Sequence, residues 1–120
     1  MFTLSSTHKF YLYTDSTDMR KSFDGLSGLI QDFTPTSPKE SSVFIFINKR
    51  RDKVKLLHWS GSGYMLYYKR LEEGTFESPD HYEVSHGMIP LNYTQIVMLI
   101  DGISIKNIKR RKRYLAKVKS

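Results

Sequence analysis

Cysteine is absent from the 120 residues, which excludes disulfides, thiolate zinc sites, iron–sulfur clusters and cysteine nucleophiles. A reduced, cytoplasmic setting is expected, and nothing in the residue usage opposes it. Long apolar runs are also missing. The two longest, Val43–Ile47 and Ile96–Ile100, hold five residues each, whereas a bilayer span needs about 20. The opening Met1-Phe-Thr-Leu-Ser-Ser6 has neither the charged start nor the apolar core of a signal peptide, so no membrane association is expected. No glycine-rich segment joins a strand to a helix, which removes the phosphate-cradling loop of nucleotide enzymes. No segment repeats.

What is present is charge, distributed unevenly. Nineteen Lys/Arg against twelve Asp/Glu give a net +7. Residues 1–103 carry eleven of these cations and all twelve acids, a net of −1. Residues 104–120 hold Lys106, Lys109, Arg110, Arg111, Lys112, Arg113, Lys117 and Lys119 and no acid, a net of +8. The pattern is a near-neutral body of one domain (1–103) with a basic tail (104–120), and such tails meet polyanions.

Apolar spacing gives the elements. His8–Tyr13 alternates as a first strand. Thr14–Asp18 offers helix caps, and a helix is expected from there to about Phe33, with Met19, Phe23, Leu26, Ile30 and Phe33 on one apolar stripe. Ser22, Gly25 and Gly28 form a small-residue stripe beside it, read either as a close approach by another backbone or as a poorly optimised helix. Thr34–Ser42 is a loop. Val43–Asn48, Lys53–Trp59 and Tyr64–Arg70 read as three strands of an antiparallel meander, joined by Lys49–Asp52 and by the glycine-bearing Ser60–Gly63. One face of the meander should cover the helix stripe. Glu72–Pro90 is irregular, with short strands expected near Thr75–Glu77 and Tyr82–Val84. Asn92 and Gln95 have capping-box spacing for a second helix bearing Tyr93, Ile96, Val97 and Ile100 on one face and ending at Gly102. The tail carries a weak helical stripe of Ile108, Leu115 and Val118, expected to order on binding.

Catalytic constellations are hard to find. Nuclease or strand-transfer chemistry needs two or three carboxylates converging on divalent metal. Asp15, Asp18, Asp24 and Asp32 are close in sequence, but the first two are placed as caps and the others fall on the polar side of the helix. His58, His81 and His86 show no zinc-ligand spacing. No catalytic or metal-binding residue, no cofactor and no small-molecule substrate are therefore expected. Cations interleaved with aromatics are the better signal. Lys49, Arg50, Arg51, Lys53 and Lys55 form a basic hairpin and strand, and Lys69 and Arg70 end the next strand, near Phe44, Phe46, Trp59, Tyr64, Tyr67 and Tyr68. Lys/Arg pair with phosphates and rings stack on unpaired bases. The competing reading makes the rings core and the cations a solvated rim. Phe23 and Trp59 are expected to be structural.

The run Thr17-Asp-Met-Arg-Lys-Ser-Phe-Asp-Gly-Leu26 resembles the small accessory protein, the second reading frame often called TnpB, of insertion-sequence-66 type bacterial transposons. That protein is unrelated to the RNA-guided nuclease sharing the name. The likeness continues through Val43–Trp59, Gly61-Ser-Gly-Tyr64, Tyr68–Phe76 and Leu91–Ile103, so it covers about residues 8–103. It implies a non-enzymatic role in transposition beside a separate transposase, with DNA and proteins of the same element as partners. Within its densest motif, Arg20 and Lys21 lie off the apolar stripe and are expected to contact a partner. Two departures stand out: Ser60 occupies a position where the family usually has an acid, and the basic tail is longer and more charged than the resemblance leads one to expect.

The combined expectation is an α+β domain, a small antiparallel β-meander packed on one main helix, with a short second helix and a basic C-terminal tail. The expected function is an accessory protein of DNA transposition that binds DNA, the transposase, or both through basic surfaces. A protein–protein adaptor without DNA contact is the alternative, and a metal-dependent nuclease comes third.

Overall fold

A strand that is apolar on both faces, as Val43-Phe-Ile-Phe-Ile47 is, belongs where a sheet is covered on both sides. The computed structural model, which describes residues 5–33, 41–77 and 87–102, places it there. The elements are β1 (Lys9–Tyr13), α1 (Phe23–Gln31), β2 (Ser42–Ile47), β3 (Lys53–Trp59), β4 (Tyr64–Arg70), β5 (Met88–Leu91) and α2 (Tyr93–Asp101). They form one α+β domain whose five-stranded sheet runs β4-β3-β2-β1-β5. β2, β3 and β4 are the expected antiparallel meander, with Ile45 opposite Leu56 and Leu57 opposite Leu66. β1 pairs parallel to β2, and α1 provides the crossover that a parallel pair requires.

The alternation of side chains sorts the core into two layers. Leu26 and Ile30 of α1 pack with Tyr13, Phe44, Phe46 and Leu57 on one face. Ile96 and Leu99 of α2 pack with Phe10, Leu12, Val43, Ile45, Val54 and Leu56 on the other. Each helix therefore covers its own side of the sheet, and all six residues of β2 are buried between them.

α2 begins and ends as its sequence dictates. The Asn92 side chain accepts from the Gln95 amide at 2.8 Å and the Gln95 side chain accepts from the Asn92 amide at 2.9 Å. Gly102 closes the helix in the left-handed region at φ 89°, its amide bonded to the Met98 carbonyl. The buried line is Ile96 and Leu99 with Ile100 alongside, so Tyr93 sits at the rim rather than on the buried face.

Four expectations are corrected. First, α1 starts at Phe23 and not near Asp18, for a reason given below. Second, Phe23 is 44% exposed and is not a core residue. With the helix beginning there, Leu26 and Ile30 point at the sheet, with Met19, Leu29 and Phe33 half-buried around them. Third, of the two readings of the small-residue stripe, close approach by another backbone falls away and the poorly optimised helix stands. A side chain at Gly28 would meet open space, and the nearest atoms to one at Gly25 belong to the Lys21 side chain. Fourth, Thr75–Glu77 is not a strand, although Phe76 and Glu77 are fully buried. The fifth strand is instead Met88–Leu91, whose Pro90 is tolerated because β5 is an edge. The expectations for Tyr82–Val84, His81, His86 and the tail lie outside the described residues.

Burial separates two substitutions on α1. Leu26→Ala should lower stability by about 2–5 kcal/mol, the range for emptying a filled core site. Phe23→Ala should stay within about 1 kcal/mol of wild type, since nearly half of the ring is already in water. Chemical denaturation of the two variants gives the comparison.

Candidate nucleic-acid interface

The C-terminal ends of β1, β2 and β4 and the N-terminal ends of β3 and β5 lie at one end of the sheet. The β1–α1 loop, the β2–β3 turn and the segment after β4 therefore gather there. The β2–β3 turn is held by one side chain. Asn48 Nδ2 donates to Asp52 Oδ1 at 2.7 Å, and Asn48 Oδ1 accepts from the Asp52 and Lys53 amides at 3.1 and 3.0 Å. The Asn48 bond is the main reason the Asp52 carboxyl titrates below the usual range. Arg51 takes the left-handed conformation at φ 60°, and its carbonyl accepts from the Phe76 amide. A turn fixed this way presents Lys49, Arg50 and Arg51 to solvent with Lys53 half-buried behind them.

Facing this turn is the β1–α1 loop. The Thr17 amide donates to the Ile47 carbonyl at 2.9 Å, which ties the loop to the end of β2. Between loop and turn runs an open groove of about 520 Å³, lined by Ser16–Met19 on one wall and by Asn48, Lys49, Arg50 and Lys53 on the other. Asp18 is the acid of the groove, and it is already engaged. It accepts from the Arg20 amide and from the Arg20 guanidinium, the shortest contact being 2.7 Å. Those hydrogen bonds hold its carboxyl at about 2. The groove thus carries three cations and one neutralised acid.

Lys55 does not belong to this cationic surface, contrary to the expectation from its position among Lys49–Lys53. It is 5% exposed. Its side chain crosses the sheet face beneath α1, and Nζ donates to the Met19 and Lys21 carbonyls, each at 2.7 Å. The Tyr68 ring lies 4.7 Å from the same ammonium. Burial pulls the ammonium below the usual lysine range, and Asp18 opposes that shift. This clamp explains the late start of α1. Lys55 holds the Met19 and Lys21 carbonyls toward the sheet, and Ser22, which follows them, is outside the helical region at φ −121° and ψ −146°, so the first helical bond runs from Leu26 to Ser22. The Thr17 hydroxyl is buried without a partner, at a typical cost of about 1–3 kcal/mol. Lys55 and the Thr17 amide bond compensate by fixing the loop on the sheet.

The clamp turns Arg20 and Lys21 outward. The Arg20 side chain is 92% exposed and forms the ion pair with Asp18 that competes with a partner role; Lys21 is exposed beside it. At the end of β4, Arg70 pairs with Glu72 at 2.9 Å and Lys69 is half-buried. Lys106, Lys109, Arg110, Arg111, Lys112, Arg113, Lys117 and Lys119 lie outside the described residues. Of the aromatics considered for base stacking, Phe44 and Phe46 are core. Trp59 is half-buried edge-on to Tyr64 at 5.0 Å, and only Tyr67 and Tyr68 are exposed.

The candidate carboxylates diverge. Asp18 is ion-paired, Asp15 lies 3.5 Å from the Tyr13 hydroxyl, Asp24 is in the first turn of α1 and Asp32 caps its end. Among the described residues, no three His, Asp or Glu side chains come together as a metal site. Ser60 closes the β3–β4 hairpin, its amide and hydroxyl both donating to the Gly63 carbonyl at 2.8 and 2.9 Å. It sits at the end of the sheet opposite the basic turn.

The chain is 30% identical over 98 residues to the uncharacterized protein y4jC of Sinorhizobium fredii, covering 82% of this chain and 81% of that one. It is 29% identical over 93 residues to the uncharacterized protein y4hO of the same organism, covering 78% of each. No solved structure matches. A family model described as IS66 Orf2 like protein matches residues 8–110, so the chain belongs to the IS66 Orf2-like family.

Proposed function

We propose that this chain is a non-enzymatic accessory protein of transposition in an IS66-type element, and that it associates with DNA through the basic end of the sheet and the tail. Family membership supports the transposition role. The observation that carries the DNA reading is the groove in which Lys49, Arg50 and Lys53 face an acid already neutralised by Arg20. Cations carried on a fixed turn beside a neutralised carboxylate offer a favourable seat for phosphates, and the asymmetric charge of the tail adds to it.

The test is the triple change Lys49→Gln, Arg50→Gln and Lys53→Gln. If each residue meets one phosphate, the slope of log affinity against log salt should become shallower by about 3. Phosphate contacts carry no base information, so the loss should be similar on transposon-end and random DNA. An unchanged slope removes the groove from the interface.

A second reading rests on Phe23, exposed at the head of α1 beside Arg20 and Lys21. An apolar ring flanked by cations suits a protein partner such as the transposase. Replacing Arg20 and Lys21 with alanine should leave stability intact, because an exposed ion pair is worth only about 0–1 kcal/mol. It should reduce transposition in cells if this surface docks a partner.

A further inference from the structure

The two edges of the sheet are unlike. β5 is four residues long and carries Pro90, features that blunt an edge. β4 is seven residues long, has no proline, glycine or bulge, and pairs without interruption along β3 from Tyr64 to Arg70. Among the described residues nothing pairs its outer side. Hydrogen bonds at both ends of the hairpin fix which groups face outward. Ser60 bonds Gly63 at one end and Leu71 bonds Asp52 at the other. Alternation between these two bonded pairs leaves the amides and carbonyls of Tyr64, Leu66, Tyr68 and Arg70 directed away from β3.

We propose that β4 is the seam of a two-fold dimer of this chain, in which β4 pairs antiparallel with β4 of a second copy about Tyr67. The strand Tyr-Met-Leu-Tyr-Tyr-Lys-Arg is apolar at its start and cationic at its end. Self-pairing about Tyr67 sets Arg70 opposite Tyr64, Lys69 opposite Met65 and Leu66 opposite Tyr68 of the other copy. Cations then face rings and apolar groups, and no like charges meet directly. The same register matches the outward-facing groups of Tyr64, Leu66, Tyr68 and Arg70 to one another, while Tyr67 meets its own copy as the closely spaced pair that lacks hydrogen bonds. Tyr67 and Tyr68, at 37% and 50% exposure, supply the ring area that pairing would cover. The result is a continuous ten-stranded sheet with its two basic ends at opposite extremes.

The absence of cysteine makes the test direct. Tyr67→Cys puts a single thiol in the full chain, and across the axis the two Cα atoms would be about 4.5 Å apart, within disulfide reach. Mild oxidation should cross-link this variant nearly completely, while Phe23→Cys and Tyr93→Cys, exposed elsewhere, should not. The wild-type chain should sediment at twice 14.1 kDa in salt sufficient to screen the tail. Tyr67→Lys, which opposes two charges on the axis, should sediment as a folded monomer by circular dichroism. A monomeric wild-type chain, cross-linking no greater at position 67 than at 23 or 93, or a dimer indifferent to Tyr67→Lys would each overturn the proposal.

Discussion

Replacing Lys55 with alanine should destabilise the domain by about 2–4 kcal/mol, because hydrogen bonds to a charged donor are worth about 1.5–3 kcal/mol and two carbonyls lose their partner. Chemical denaturation measures it. The neighbouring Lys53→Ala, half-buried and without such bonds to the β1–α1 loop, should change stability by about 0.5 kcal/mol or less. The two lysines also separate in function. Lys55→Ala, assayed where it is folded, should keep the salt slope of DNA binding, whereas Lys53→Ala should make the slope shallower. If Lys55→Ala were as stable as wild type but bound DNA more weakly, the buried clamp would be the wrong account of Lys55.

The contrast shows how far the sequence could be read. The meander was legible because Val54, Leu56 and His58 alternate with Lys53, Lys55, Leu57 and Trp59, and because both turns are of hairpin length. The capping box of α2 was legible because Asn92 and Gln95 act over three residues, with no help from the rest of the fold. Lys55 was misplaced because local charge put it with Lys49–Lys53. The signal that could have corrected this was its face: it shares one with Leu57, which lies under α1. The start of α1 could not be read locally, since the chain just ahead of the helix is held by a lysine 36 residues away from Met19. β5 was hidden by Pro90, which argues against a strand unless one knows that the strand is an edge. For the candidate interface, the cations of the β2–β3 turn were visible in sequence. The groove was not, because its other wall comes from the β1–α1 loop.

The second large effect belongs to the tail, whose eight cations outnumber those of the groove. If all eight meet duplex phosphates, they contribute about −7 to the log–log salt slope, up to about a ten-thousandfold change in affinity between 50 and 200 mM salt. Fewer contacts give a proportionally shallower slope. The most direct test of DNA association is therefore the salt dependence of duplex binding by the full chain and by residues 1–103, whose described part contains both helices and all five strands. The full chain should show a steep slope. The shortened chain should bind far more weakly with a shallow slope, retaining what Lys49, Arg50, Arg51 and Lys53 can hold, and the loss should be alike on transposon-end and random DNA. A full chain that shows no salt-dependent binding to DNA would contradict DNA association, and would leave the protein as an adaptor among proteins.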